Sequence, residues 1–249
     1  MFGAWQAGAW SILADHFAPD LMVGASVGSL NGYLIASGVT PGQLREYWLE
    51  PRLSRFKDLD ARLKLMTERH QLRMPFALTV TEWAGFSTDS AQDAPGAGES
   101  EKTLSGGRGA GCFALKPRIF RDGEITWRHL AASCALPLFF KQVRIEGRLY
   151  TDGGLLNPLP VWAAVELGAT RILGLNALPE VPSSLLRPFI KGFRRQAGHN
   201  PPLPPGVRVD TLIPSRPLGT VTDAVRWRRP QIERWLDLGA EDAAAFLRS

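Results

Sequence analysis

Apolar or small side chains recur at Trp5, Gly8, Ala9, Ile12 and Leu13, with His16 on the same line, at the spacing of one helical face. A helix running from about Trp5 to Leu13 follows, and Pro19 forces the chain out of it. The apolar run Leu21-Met22-Val23 is short enough for a strand. It leads into "GASVG", after which Val27, Leu30, Leu34 and Ile35 again trace a helical face, closed by Gly38. Thr40, Pro41 and Gln43 form a capped helix start ahead of Leu44, Tyr47 and Trp48, with a stop near Pro51. Residues 52–74 show no clean period. "FALTVTEW", Phe76 to Trp83, alternates as a strand does.

From Ser87 to Gly111 the pattern collapses into Ser, Gly, Ala, Asp and Glu, which buries little and predicts a surface insertion at 87–111. "CFALKPRIFRDGEITW" then reads as strand, Asp-Gly turn, strand. "QVRIEGRLYTDGG" repeats the device around Glu146-Gly147. A helix from about Pro160 to Leu167, a stop at Gly168 and an apolar strand from Arg171 to Asn176 follow. "VDTLIPSRPLG" supplies one more strand and "RPQIERWLDLGAEDAAAFLRS" a closing helix. Helices alternating with short apolar strands predict an α/β fold on a central sheet. The 249 residues, 45% of them hydrophobic, suit one domain over 1–249.

Composition excludes several classes. The formal charge of +5 is modest, and no nucleic-acid reading module accompanies it. Cys112 and Cys134 lack the neighbours of a metal site or a disulfide framework and read as small thiols, so no metal is expected. No signal peptide is visible, and the longest apolar run, Ala131 to Phe140, is too short and too proline-interrupted to cross a bilayer. A cytoplasmic protein is the expectation.

Gly24-Ala25-Ser26-Val27-Gly28 fits G-x-S-x-G, in which flanking glycines let a serine sit on a strained turn above a helix N-terminus. An apolar strand before it and an amphipathic helix after it favour a nucleophile over an ordinary turn serine, and the Val27 amide becomes a candidate oxyanion donor. The serine needs a base. His199 lies in a proline-rich loop, and His129 and His16 read as packed or surface side chains. Asp152 remains. It ends the strand "RLYT" and precedes Gly153-Gly154, which let the backbone turn tightly and a second segment come close. Such an aspartate is either a turn residue or, since it and Ser26 both sit at strand ends, where α/β sheets gather their sites, a base working by proximity and partial desolvation.

"GASVGSLNG" (24–32), "LAASCALPLFF" (130–140) and "GRLYTDGGLLNPLPVWAAVELGA" (147–169), with "GAWQAGAW" at the start, resemble in content and order the patatin-like phospholipases. The resemblance implies a three-layer α/β/α sandwich with a mostly parallel central sheet. It implies hydrolysis of acyl esters of phospholipids or neutral lipids by a Ser26–Asp152 dyad, without metal or cofactor. It also implies a glycine-rich oxyanion loop whose last glycine is Gly3, Phe2 standing where a basic residue is common. The loop's leading glycines would fall before Met1, so a longer chain beginning upstream is expected to hydrolyse lipid esters better.

Four cations, Arg187, Lys191, Arg194 and Arg195, lie between Ser183 and Asn200 with no acid. In "LLRPFIKGFRRQ" they can stand apart from Leu186, Phe189, Ile190 and Phe193. This makes 185–196 either a peripheral contact with anionic lipid or a solvated basic loop. Two rival functions stay open: a catalytically silent lipid-binding protein, and an acyltransferase or thioesterase on a similar sheet.

Overall fold

A computed structural model describes residues 1–50, 59–84, 114–137, 139–179, 192, 201–220, 222–223 and 226–248. The expected insertion at 87–111, Cys112, His199 and the segment 185–196 apart from Gly192 lie outside the described residues. In chain order the elements are α1 (Gly3–Leu13), β1 (Met22–Ala25), α2 (Val27–Ala36), α3 (Pro41–Leu49), α4 (Leu59–Arg69), β2 (Phe76–Ala84) and β3 (Ala114–Arg121). They continue with α5 (Trp127–Ser133), β4 (Val143–Ile145), β5 (Arg148–Asp152), α6 (Val161–Glu166), β6 (Arg171–Leu175), β7 (Arg208–Leu212) and α7 (Arg229–Phe246).

Strand β2 organises the main sheet. Residues Phe76 to Glu82 are all buried, so both of its faces are covered. One edge pairs with β3, antiparallel, from Ala77↔Arg121 to Ala84↔Ala114. The other edge is shared. β1 runs parallel to its first half, ending at Ala25↔Thr79, and β5 runs antiparallel to its second half, ending at Val80↔Asp152. β4 joins β5 as a hairpin through Glu146 and Gly147, whose φ values of 48° and 76° are those of a two-residue turn with both residues left-handed. β6 and β7 form a separate parallel pair.

The α/β architecture is as expected, with one correction: the sheet is mixed, not mostly parallel. Only β1–β2 and β6–β7 are parallel pairs among the described strands. A parallel pair needs a long crossover, which α2 to α4 supply between β1 and β2, whereas the Glu146-Gly147 turn can only return the chain antiparallel. A second correction concerns the Asp122-Gly123 turn. Gly123 has a φ of 92°, but helix α5 follows in place of a strand. Helix α4 arises where no period is legible, because only Leu63 and Met66 of its face are buried.

Helices α1 and α7 cross in backbone contact. A Cβ on Gly8 would overlap the Leu236 carbonyl, and one on Gly239 would overlap the Trp5 carbonyl. Beside the crossing the buried Trp5 indole N–H donates to Asp242 Oδ2 at 2.8 Å. The face of α7 that meets α1, Ile232, Trp235, Leu236, Gly239 and Ala243, has the helical spacing its sequence predicts. Thr40 and Gln43 close the expected capping box at the start of α3.

Candidate active site

At Ser26 the chain passes from β1 to α2 in a single residue. Ser26 adopts φ 52° and ψ −130°, a conformation that L-residues rarely hold and that costs about 1–3 kcal/mol. Gly24 permits so tight a reversal, because a Cβ there would stand 2.5 Å from the Gly28 carbonyl oxygen. Gly28 is less constrained; the nearest atoms to its Cβ position belong to the Gln6 side chain, at 3.6 Å. The turn leaves Ser26 half-buried at the N-terminus of α2.

The shared edge of β2 brings Asp152 to it. β1 and β5 approach from opposite directions along that edge and end beside Thr79 and Val80, so their last residues meet head-on. The Ser26 hydroxyl donates to Asp152 Oδ2 at 2.6 Å. Asp152 Oδ1 accepts the Gly154 N–H at 2.7 Å, within the short 3-10 turn Gly153–Leu155. Gly153 lies against β2, since a Cβ there would overlap the Thr79 carbonyl. A Cβ on Gly154 would sit 3.8 Å from the Ser26 Cβ.

Asp152 is 2% exposed. Burial raises its carboxyl from the ordinary 3.8 to about 7, against the opposing effect of the Ser26 hydroxyl and the Gly154 and Leu155 amides. An acid in this range changes charge near neutrality, as a general base at neutral pH must. Cys134, also buried and near Asp152, has its thiol pushed far up by burial and by that neighbouring charge, so it stays protonated and unreactive.

Segment 126–136 flanks the pair. Ser133 Oγ accepts the Ser26 N–H at 3.0 Å, and the Ala135 carbonyl accepts the Asp152 N–H at 3.1 Å. In the first turn of α2, Ser29 N–H returns to the Ser26 carbonyl, while the Val27 N–H has no acceptor among the described residues. Gly3 lies close by: its Cβ position is 3.1 Å from the Val27 Cβ, and its carbonyl accepts from Asn31 Nδ2 at 2.8 Å. Asn31 Oδ1 in turn accepts from the Trp48 indole at 2.9 Å, tying α1, α2 and α3 together behind the turn.

The described histidines stand elsewhere. His129 Nδ1 accepts the Thr126 N–H at 3.1 Å as the cap of α5 and packs edge-on against Phe120, and burial lowers its pKa. His16 is exposed after α1. His70 follows α4, its carbonyl accepting from the Tyr33 hydroxyl at 2.7 Å, and none of the three described histidines hydrogen-bonds Ser26 or Asp152. The geometry thus joins Ser26, Val27, Gly24, Gly28, Asp152, Gly153, Gly154 and Gly3 at one strand junction. Ser133 and Ala135 join them; the resemblance of "LAASCALPLFF" marks their segment, but within that run of small residues nothing marks either one.

The family model of patatin-like phospholipases matches residues 1–165. The chain belongs to the patatin-like phospholipase family. No curated protein matches it. The patatin-like region spans every residue of the junction, and the family is one of lipid acyl hydrolases that act on lipid substrates. No described helix is long and apolar enough to cross a membrane.

Proposed function

We propose that this chain hydrolyses carboxylic esters of lipids, of phospholipase A or lysophospholipase type, with Ser26 as nucleophile and Asp152 as general base. The observation that carries the reading is the 2.6 Å hydrogen bond from the Ser26 hydroxyl to a buried carboxylate that titrates about pH 7. Ser26 Oγ attacks the acyl carbon as its proton passes to Asp152. The carbonyl oxygen becomes an oxyanion at the positive end of α2, where the Val27 N–H is available and Gly3 stands alongside. Collapse breaks the ester bond, and Asp152 returns the proton to the departing alkoxide. Water then attacks the acyl-serine, again losing its proton to Asp152, which hands it back to Ser26 Oγ as the fatty acid leaves. No step calls for a metal or cofactor.

The direct test is turnover of phosphatidylcholine and lysophosphatidylcholine by the wild type, Ser26→Ala and Asp152→Asn. Fatty-acid release that both substitutions abolish supports the reading. Lipid binding without release by the wild type would replace it with a silent lipid-binding role. Acyl transfer from a thioester to an alcohol without phospholipid turnover would replace it with an acyltransferase.

A further inference from the structure

The strained turn at Ser26 is held by a side chain from another element. Ser26 N–H donates to Ser133 Oγ at 3.0 Å, and the Ser133 hydroxyl donates to the Thr79 carbonyl at 2.9 Å. A serine hydroxyl carries one hydrogen, so its bond to Thr79 leaves only lone pairs to face the Ser26 amide. The direction of both bonds is therefore fixed. Thr79 is the β2 residue opposite Ala25, the last residue of β1. Where β1 leaves the sheet, the Ser133 hydroxyl stands between a departing N–H and a β2 carbonyl, as a side-chain rung in place of the next backbone one. Ser133 is fully buried at the end of α5, and water cannot substitute for it without opening the fold. Two residues on, the Ala135 carbonyl accepts both the Asp152 N–H at 3.1 Å and the Thr151 hydroxyl at 2.7 Å.

We infer that Ser133 is a positioning residue for the reactive pair: its hydroxyl pins the Ser26 backbone to β2 and so keeps the Ser26 Oγ within reach of Asp152. It touches no reacting atom and acts through Ser26. The bond also occupies the Ser26 N–H, so that amide is not free to receive the oxyanion. The catalytic consequence rests on the hydrolase reading; the anchoring does not.

The test uses the full chain with Ser133→Ala and reads two quantities: hydrogen exchange at the Ser26 amide, and kcat and KM for p-nitrophenyl butyrate. Where the alanine variant does not fold, Ser133→Cys, which is slightly larger and leaves no cavity but accepts weakly, carries the same readouts. Ser26 amide exchange is expected to accelerate at least about tenfold, and kcat to fall at least about tenfold with KM little changed. Unchanged exchange overturns the inference whatever the rate does, and so does faster exchange with unchanged kcat. Faster exchange in a protein whose wild type hydrolyses no ester sinks the hydrolase reading while supporting the anchoring.

Discussion

At the scale of single residues, the site couples a strained serine to a carboxylate that burial makes a better base. The same burial has a thermodynamic consequence. Asp152 binds its proton more tightly folded, at about 7, than unfolded, near 3.8. Between those values the folded chain holds more protons than the unfolded one, so stability falls as pH rises from about 4 to about 7. Asp152→Asn removes that dependence. It is expected to flatten thermal stability against pH across this window and to raise the melting temperature at pH 8 relative to wild type, while lowering kcat at least about a hundredfold. Thermal melts at several pH values check the first part and ester hydrolysis the second. Ser26 and Asp152 were legible in sequence because each stands at a strand end and is followed by a glycine-containing turn or helix start. Their head-on meeting was not, since it depends on two strands sharing one edge of β2, a fact of pairing with no local trace.

At the scale of elements, close backbone approach decides which glycines matter. Gly153 sits against the Thr79 carbonyl, so Gly153→Ala must push β5 and its turn off β2. It is expected to destabilise by about 1–3 kcal/mol and to lower kcat by displacing Asp152. Gly28 has room for a methyl group and lies in helix α2. Gly28→Ala is expected to be neutral or to stabilise by about 0.5–1 kcal/mol, although the two glycines flanking Ser26 look equivalent in the motif. Denaturant melts of Gly153→Ala and Gly28→Ala compare a glycine under backbone contact with one that has room. The elements themselves were largely readable. Thr40 and Gln43 announce α3, and the helical spacing of Ile232, Trp235, Leu236 and Gly239 announces α7. The strand expected after Gly123 failed because an Asp-Gly turn suits a loop as well as a hairpin. What decides the matter is the cap that His129 gives Thr126, at the start of α5.

At the scale of the whole molecule, the described C-terminal helix is part of the fold that carries the site. The patatin-like match ends at residue 165, yet α7 lies on α1, whose first turn places Gly3 beside Val27. On this ground we propose that 1–249 is one domain. Gly239→Val, which drives a branched side chain into the Trp5 carbonyl, is expected to destabilise by at least about 2 kcal/mol and to lower activity through the displaced α1. A urea melt and an esterase assay on the same sample test both. The charge and apolar spacing of 185–196 leave two readings, a peripheral contact with anionic lipid or a solvated basic loop, and charge reversal separates them. Replacing Lys191, Arg194 and Arg195 with Glu is expected to reduce sedimentation with phosphatidylglycerol vesicles at low salt while sparing hydrolysis of a soluble ester. Parallel against antiparallel pairing was beyond the sequence here, because both strand types appear as short apolar runs bounded by turns.

In the proposed mechanism Ser26 is made nucleophilic by Asp152. The rate of Ser26 phosphonylation by a fluorophosphonate, followed from about pH 5 to pH 9 in wild type and Asp152→Asn, tests it most directly. The wild-type rate is expected to rise through about pH 7 to a plateau, and the Asp152→Asn rate to be at least about a hundredfold lower with no inflection there. Equal labelling of the two proteins, or a wild-type rate with no inflection near neutrality, would contradict it.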